Sequence, residues 1–351
     1  MRVAVTGGSG FIGSHVVDHL VGAGHDVVVI DVGGRWRNPA AEYRAADLFD
    51  EAALAAAADG AQAIFHLAGA ADVNEVAADP ARAVRLNVEG TARVLDAARR
   101  GGVDRVLLAS TVWVYGATVG EGERTEASPV DLARSGHVYV ATKLAAEMLV
   151  HSYREMYGQH YTILRYGIPY GPRMRDALVV ARFVQAARAG QRITIAGTGE
   201  QQRNYVYVED IADAHVRALV PAAADQTLAL EGGEPVSVRE IADAVCRMVQ
   251  PVPVEHVPAR AADYAGVAIS GNLAKELLDW APVTPFEAGV RRYLDWLGSA
   301  EAAGGATAGD VPPGDPAAGP SSGAQLTAGP VTAGAPETME AGARKPSLEG
   351  A

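Results

Sequence analysis

Val3-Ala4-Val5-Thr6-Gly7-Gly8-Ser9-Gly10-Phe11-Ile12-Gly13 decides the fold. An apolar, strand-like run ends at Thr6, a glycine-rich turn follows, and a helical stretch begins at about Gly10. Two glycine spacings are satisfied together, Gly7-x-x-Gly10-x-x-Gly13 and Gly8-x-Gly10-x-x-Gly13. Glycines at such positions permit a tight turn, close backbone approach to a pyrophosphate and close packing of helix on strand. The helix N-terminus adds unpaired N–H groups and a favourable dipole. A plain glycine turn is the bland alternative, but the strand–loop–helix context favours a phosphate loop in which Gly7, Gly10, Phe11, Ile12 and Gly13 meet the ligand.

Outward from this loop, two kinds of segment alternate. Runs rich in Val, Ile and Leu at 3–6, 26–30, 63–67, 105–109 and 162–165 are separated by helical stretches at 10–22, 51–58, 80–100 and 139–157. Strands apolar on both faces belong to parallel sheets covered by helices on both sides. The expected fold class is therefore α/β, a doubly wound parallel sheet of Rossmann type. After about Gly167 the rhythm loosens. Helices near 178–189, 208–219, 236–249, 273–278 and 285–297 mix with short strands such as 192–195, which predicts a smaller, mixed C-terminal substrate domain. The expected boundaries are 1–168 for the dinucleotide-binding domain, with 204–230 returning to it, and 169–298 for the substrate domain. In 299–351, Ala, Gly, Pro, Thr and Ser dominate. Such a segment cannot bury enough surface to offset the entropy of ordering, so a disordered tail is expected, either an interaction arm or an inert extension.

The 351 residues are 49% apolar and carry a formal charge of -12. An acidic chain repels a phosphate backbone, which argues against nucleic acid as a partner. Arginines and helix ends can still bind a nucleotide locally. No apolar run approaches the ~20 residues of a membrane span, and because Met1-Arg2 leads straight into a strand-like run no signal peptide is expected. Cys246 is the single cysteine and cannot form an intrachain disulfide. It reads as a small core residue rather than a reactive thiol, in a cytoplasmic protein. His15, His137 and His160 do not form a metal-ligand spacing, and no metal is expected.

Asp31 ends the second strand, 18 residues past Gly13. A carboxylate there can accept hydrogen bonds from the ribose hydroxyls of NAD and repel the extra phosphate of NADP, with Arg35 and Arg37 nearby to soften the preference. The alternative is an ordinary strand-end turn residue. Asp47 and Leu48 follow the third strand-like stretch, where an Asp could meet the adenine amino group. Tyr139 and Lys143 lie four residues apart and share one helix face. A tyrosine at its usual pKa near 10 is a poor base at neutral pH; Lys143 and an oxidised nicotinamide would both favour its phenolate. Before them, Ser110-Thr111 closes another strand, at the end of the sheet where such folds bind ligands.

In order, the glycine loop, Asp31, His66-Leu67-Ala68-Gly69, Asn87-Val88-Glu89-Gly90-Thr91, Ser110-Thr111-x-x-Val114-Tyr115-Gly116 and Tyr139-x-x-x-Lys143 resemble the NAD-dependent epimerase/dehydratase family, extended short-chain dehydrogenases of the UDP-glucose 4-epimerase kind. The resemblance runs on through Leu164-Arg165-Tyr166, Tyr170-Gly171-Pro172, 203–210 and Arg260-x-x-Asp263, and covers about 1–297. It implies NAD as cofactor, with Leu67, Ala68, Gly69 and Asn87 among its contacts. It implies Tyr139 as acid/base, Lys143 as its partner and a ribose ligand, and Thr111 as the hydroxyl that binds the reacting oxygen. It further implies a nucleotide-sugar substrate whose phosphates meet Arg203 and Arg260, and a homodimer through the helices at 80–100 and 139–157. Surface or interdomain ion pairs are the alternative for the two arginines.

Family dehydratases carry an acidic pair just after the catalytic Thr, and decarboxylases often a Glu; here those positions are Val112 and Trp113. Neither transfers a proton, so 4-epimerisation of a UDP-sugar through a transient 4-keto intermediate is the leading expectation. A dehydratase, a dehydrogenase or reductase of another small alcohol, and a non-catalytic dinucleotide sensor are the alternatives. Trp113 either shapes a sugar pocket or packs beside the loop. The chain departs from the family pattern at Gly167-Ile168, where Phe-Asn is common, and at Thr142, where Ser is usual.

Overall fold

The computed structural model describes residues 1–33, 37–118, 122–258 and 267–302. Six strands enter one sheet in succession: β1 (Arg2–Thr6), β2 (Asp26–Asp31), β3 (Glu42–Ala45), β4 (Ala63–His66), β5 (Arg105–Thr111) and β6 (His160–Tyr166). The chain then leaves for β7 (Ile168–Tyr170), β8 (Ile193–Ala196) and β9 (Gln202–Tyr207), and returns with β10 (Gln226–Leu230). The seven strands are ordered β10-β6-β5-β4-β1-β2-β3 and all pair in parallel. Connections between parallel neighbours must cross over the sheet, which is why helices cover both faces.

Residue alternation decides which helix meets which face. Val3, Val5, Val27, Val29 and Phe65 pack on the side of α1 (Phe11–Gly22), joined there by Ile211 and Ala214 of a returning helix. Ala4, Val28, Ile30 and Ile64 pack on the other side, against α2 (Glu51–Ala58) and the helical stretch after β4. Each buried Val, Leu or Ile contributes about 1.5–3 kcal/mol relative to exposure, so register is firmly set.

After β4 come α3 (Val73–Ala78), α4 (Pro80–Val84) and α5 (Gly90–Arg100). The single helix expected over 80–100 is instead α4 and α5 joined by a π turn, Arg85–Glu89, which carries Asn87. Single π turns of this kind are frequent at functional sites. Next, α6 (Val138–Tyr157) starts where the Nδ1 of His137 accepts the N–H of Tyr139 at 3.0 Å, and ends at Gly158 in the left-handed conformation.

The remaining helices are α7 (Val179–Arg188), α8 (Val208–Arg217), α9 (Val238–Met248), α10 (Asn272–Leu278) and α11 (Phe286–Ala302); β11 (Pro235–Ser237) and β12 (Val254–Val257) complete the strands. Small sheets β11-β9-β7 and β12-β8 pack with α7, α9 and α11 around Phe183, Tyr170, Tyr207 and Tyr293. Helix α8 lies beside α1, so this segment runs back to the large sheet just before β10. Cys246 is half-buried on α9, its thiol 3.9 Å from the Val252 carbonyl. The final helix continues past Ser299: the Ser299 hydroxyl donates to the Asp295 carbonyl at 2.9 Å and Arg188 pairs with Glu301 at 2.6 Å. The composition shift at 299 thus precedes the helix end by one turn, because Ala and Glu are good helix formers. The rest of the expected tail lies outside the described residues.

Candidate active site

The phosphate loop is shaped by close approach. Gly7 has φ 72°, and a Cβ there would stand 2.6 Å from the backbone nitrogen of Ala68. A Cβ at Gly13 would run into the Gly7 carbonyl, so helix and turn touch through bare backbone. Gly10 caps α1 with no side-chain hydrogen bond, leaving the first N–H groups of the helix to a ligand. Ile12 packs against the core under the sheet and Phe11 against the cluster of the smaller sheets. These are the features a pyrophosphate needs.

Asp31 reaches back over this loop and accepts the Ser9 N–H at 3.0 Å. Burial raises its carboxyl above the usual range; the N–H groups of Ser9, Gly33 and Val32 and the charge of Arg37 oppose that rise. Arg35 lies outside the described residues. Asp47 is exposed and turned locally, accepting the Phe49 N–H at 3.1 Å. Leu48 follows with its side chain buried in the core.

At the end of β4, His66 is a structural residue. Its Nδ1 meets the Thr6 hydroxyl at 2.8 Å and its Nε2 the Thr91 hydroxyl at 3.1 Å, and burial pushes its pKa down to about 3. Leu67 and Ala68 follow, half-buried beside the Gly7 turn. Asn87, expected to touch the cofactor, spends its amide inside the protein. Its Oδ1 accepts the Ala70 N–H at 2.7 Å, and its Nδ2 donates to the Ala70 carbonyl at 2.9 Å and the Thr142 hydroxyl at 3.0 Å. The Thr142 hydroxyl in turn donates to the Tyr139 carbonyl at 2.8 Å. Asn87 therefore ties the β4 loop, with Gly69, to the helix that carries Tyr139.

Thr111 and Tyr139 come together from β5 and α6, near enough for the Thr111 hydroxyl to pull the phenol's pKa down. The Thr111 Oγ1 also accepts the Trp113 N–H at 3.2 Å, which fixes the hydroxyl's orientation. Trp113 packs edge-on against the Tyr139 ring, centroids 6.3 Å apart, and so walls the site. Lys143 is buried below them and donates to the Ala109 carbonyl at 3.0 Å. Burial pushes its pKa down to about 8, opposed by Glu147. For Tyr139 burial outweighs its neighbours and pushes the phenol up to about 12; the opposing pulls come from Thr111 and Arg175 rather than from Lys143. The protein alone therefore does not make this phenol acidic, contrary to what the four-residue spacing suggests. The charge of an oxidised nicotinamide is the further cation the site calls for.

Sequence reasoning missed a buried ion pair beneath the site. Glu147, one turn beyond Lys143, binds the Arg165 guanidinium at 3.0 and 2.6 Å and takes a 2.5 Å hydrogen bond from Ser110. Arg165 also lies over the Tyr115 ring at 4.9 Å. The spacing Lys143-x-x-x-Glu147 was its only sequence signal. Arg175, which pairs with Asp72 at 3.2 Å, was missed as well.

Beyond Thr111 opens a cleft of ≈ 750 Å³ lined by Val112, Ile168, Arg203, Asn204, Glu231 and Lys275, among others. Arg203 is buried on β9 and donates to the Gln202 carbonyl at 2.7 Å. Its expected companion Arg260 lies outside the described residues. The departure at Gly167 has a steric cause: a Cβ there would stand 2.7 Å from Cγ2 of Val206 and 3.2 Å from the Leu230 carbonyl, where β9 and β10 converge. Of the histidines, His15 binds the Pro172 carbonyl at 2.9 Å and His160 the Asp225 carboxylate at 2.9 Å.

The family model "NAD dependent epimerase/dehydratase family" matches residues 3–228. The chain is 34% identical to a UDP-glucose 4-epimerase of Mycolicibacterium smegmatis over 312 residues, covering 85% of this chain and 98% of that one. It is 30% identical to a probable UDP-glucuronate 4-epimerase of Rhizobium meliloti, covering 84% and 96%. The crystal structure of UDP-glucose 4-epimerase from Thermotoga maritima with UDP-glucose superimposes with a TM-score of 0.79 at 29% identity, covering 86% of this chain and all of that one. The chain belongs to the NAD dependent epimerase/dehydratase family, and its cofactor is NAD.

Proposed function

We propose that this chain is a nucleotide-sugar epimerase that inverts C4 of a UDP-hexose through a 4-keto sugar. The observation that carries the reading is the juxtaposition of Thr111 and Tyr139 beside Val112 and Trp113. Tyr139 takes the proton of the sugar hydroxyl and later returns it; Thr111 orients that hydroxyl. The glycine loop and Asp31 would hold NAD, which when bound would supply the hydride-transfer chemistry. Lys143 holds a positive charge beneath the site and meets the nicotinamide ribose. Val112 and Trp113 have no proton to give or take, so the ketosugar is left to turn and be reduced on its other face. Arg203 and Arg260 hold the diphosphate, a task suited to the planar guanidinium.

The relatives that act on UDP-glucose support a UDP-hexose. A homodimer through α6 and the 80–100 segment, working in the cytoplasm, accompanies this reading. No helix among the described residues is long and apolar enough to cross a membrane. The test is incubation of the chain with NAD and UDP-glucose, followed by proton NMR of the sugar. Conversion to the C4 epimer without net NADH is expected. A 4-keto-6-deoxy product, a decarboxylated product from UDP-glucuronate, or no turnover of any nucleotide sugar would overturn it.

A further inference from the structure

Among the described residues, one buried carboxyl near the site has an oxygen without a hydrogen-bond partner. Glu231 follows β10 directly, at the end of the sheet where Thr111 closes β5 and Tyr166 closes β6. It is 7% exposed, lines the cleft with Arg203, and its buried Oε2 has no hydrogen-bond partner. Its position is fixed from both sides. The Asn204 amide donates to the Gly232 carbonyl at 3.2 Å, and the β9 backbone at Tyr205 leaves no room for a side chain at Gly232. A buried acceptor or donor left unmade costs about 1–3 kcal/mol. A chain that keeps one in a ligand cleft is expected to satisfy it with the ligand.

We propose that Glu231 is a ligand-contacting residue of this cleft, its carboxyl hydrogen-bonding to the diphosphate that Arg203 holds. The inference rests on the nucleotide-sugar reading of the cleft and adds to it a residue that selects for phosphate in one protonation state.

Charge makes the arrangement consistent. An ionised Glu231 would offset Arg203 and repel a diphosphate, whereas a protonated carboxyl donates to a phosphate oxygen. Burial pushes Glu231 up to about 8, so it is protonated at neutral pH. Among the described residues, the other charged groups facing the cleft are Glu200 ahead of β9, Glu123 from the loop after β5 and Lys275 of α10, while Glu126 is engaged by the Ala229 N–H at 2.8 Å. The same burial costs folding stability as pH rises from the ordinary Glu range toward 8, because the unfolded chain ionises first.

The test titrates the full chain with UDP, dTDP and GDP by calorimetry between about pH 7 and about pH 9, a range in which their phosphates stay ionised. Lys143 also titrates near 8, so the reading is the difference between wild type and Glu231→Gln. At pH 7 the amide variant binds the preferred nucleotide within about threefold of wild type, and Glu231→Leu binds about tenfold or more weakly. Above pH 8 wild type loses affinity relative to Glu231→Gln, by up to about tenfold per pH unit. Without ligand near pH 8, Glu231→Leu melts at a higher temperature than wild type; a carboxyl kept for structure would do the reverse. Parallel curves for wild type and Glu231→Gln, or full affinity in Glu231→Leu, overturn the inference. Should Glu231→Leu not fold, the two curves decide alone. If wild type binds none of the three nucleotides, the nucleotide-sugar reading itself falls, a result distinct from parallel curves.

Discussion

Asp31 and Glu231 stand at the same end of one sheet, near its opposite edges, and burial raises both. They differ in what surrounds them. Asp31 is met by the N–H groups of Ser9, Gly33 and Val32, all supplied by the loop it closes and by its own strand end. Glu231 is met by none and is pushed up to about 8. Burial differs too, Asp31 being half-buried and Glu231 buried, so the two become different groups: an acceptor already engaged by backbone donors, and an acid that, in the proposal above, takes its partner from outside the chain. In the proposed assignment, the dinucleotide half of the site is prepared by neighbours in sequence, and the substrate half is assembled from β9, β10 and α10, segments that meet only in the folded protein.

The sharpest way to test this division is at the seam, with Tyr139→Phe. About a thousandfold loss of kcat is expected, with NAD and nucleotide affinities unchanged, because the hydroxyl serves chemistry and neither half's binding. Stopped assays combined with two separate titrations check it, and retained turnover would remove the acid/base role.

Breaking the dinucleotide half alone comes next. Gly13→Ala forces a Cβ into the Gly7 carbonyl. NAD binding should weaken by about a hundredfold while UDP binding holds. Equal loss of both ligands by calorimetry would show that the halves are not separable.

Asp31→Asn probes the ribose contact with a smaller effect. Discrimination against NADP should fall by about tenfold, since the repulsion of the extra phosphate goes while the Ser9 N–H keeps an acceptor. An unchanged NAD/NADP affinity ratio would remove this contact.

The smallest effect belongs to Thr111→Val. The Thr111 hydroxyl pulls the Tyr139 phenol below where burial alone would put it. Losing it raises that pKa, so the acid limb of the pH–rate profile moves to higher pH, by under about one unit. A limb that stays in place would mean that Thr111 orients substrate without tuning the phenol.

Much of the first half was legible in the chain itself. The strands at 3–6, 26–30, 63–67, 105–109 and 162–165, the glycine turn and the Tyr139-x-x-x-Lys143 pair are written locally, in apolar alternation, helix period and residues that permit one backbone path. Sequence could also place Thr111 at a strand end and Asp31 beside the loop. It did not show that the Asn87 amide binds Ala70 or that the Leu48 side chain is buried in the core, because nothing local says whether a side chain faces a cleft or a neighbouring turn. It gave no sign of Glu231 and could not show why Gly167 must be glycine, since both depend on β9 converging on β10.

Even the direction in which Tyr139 titrates came from packing. Spacing puts an ammonium one turn away, but the fold hands that ammonium to the Ala109 carbonyl and buries the phenol. Residue order fixes which groups can meet, through short-range geometry. Which of them are left wanting a proton, a charge or a hydrogen-bond partner is set by desolvation, and desolvation exists only once distant segments have closed over the site.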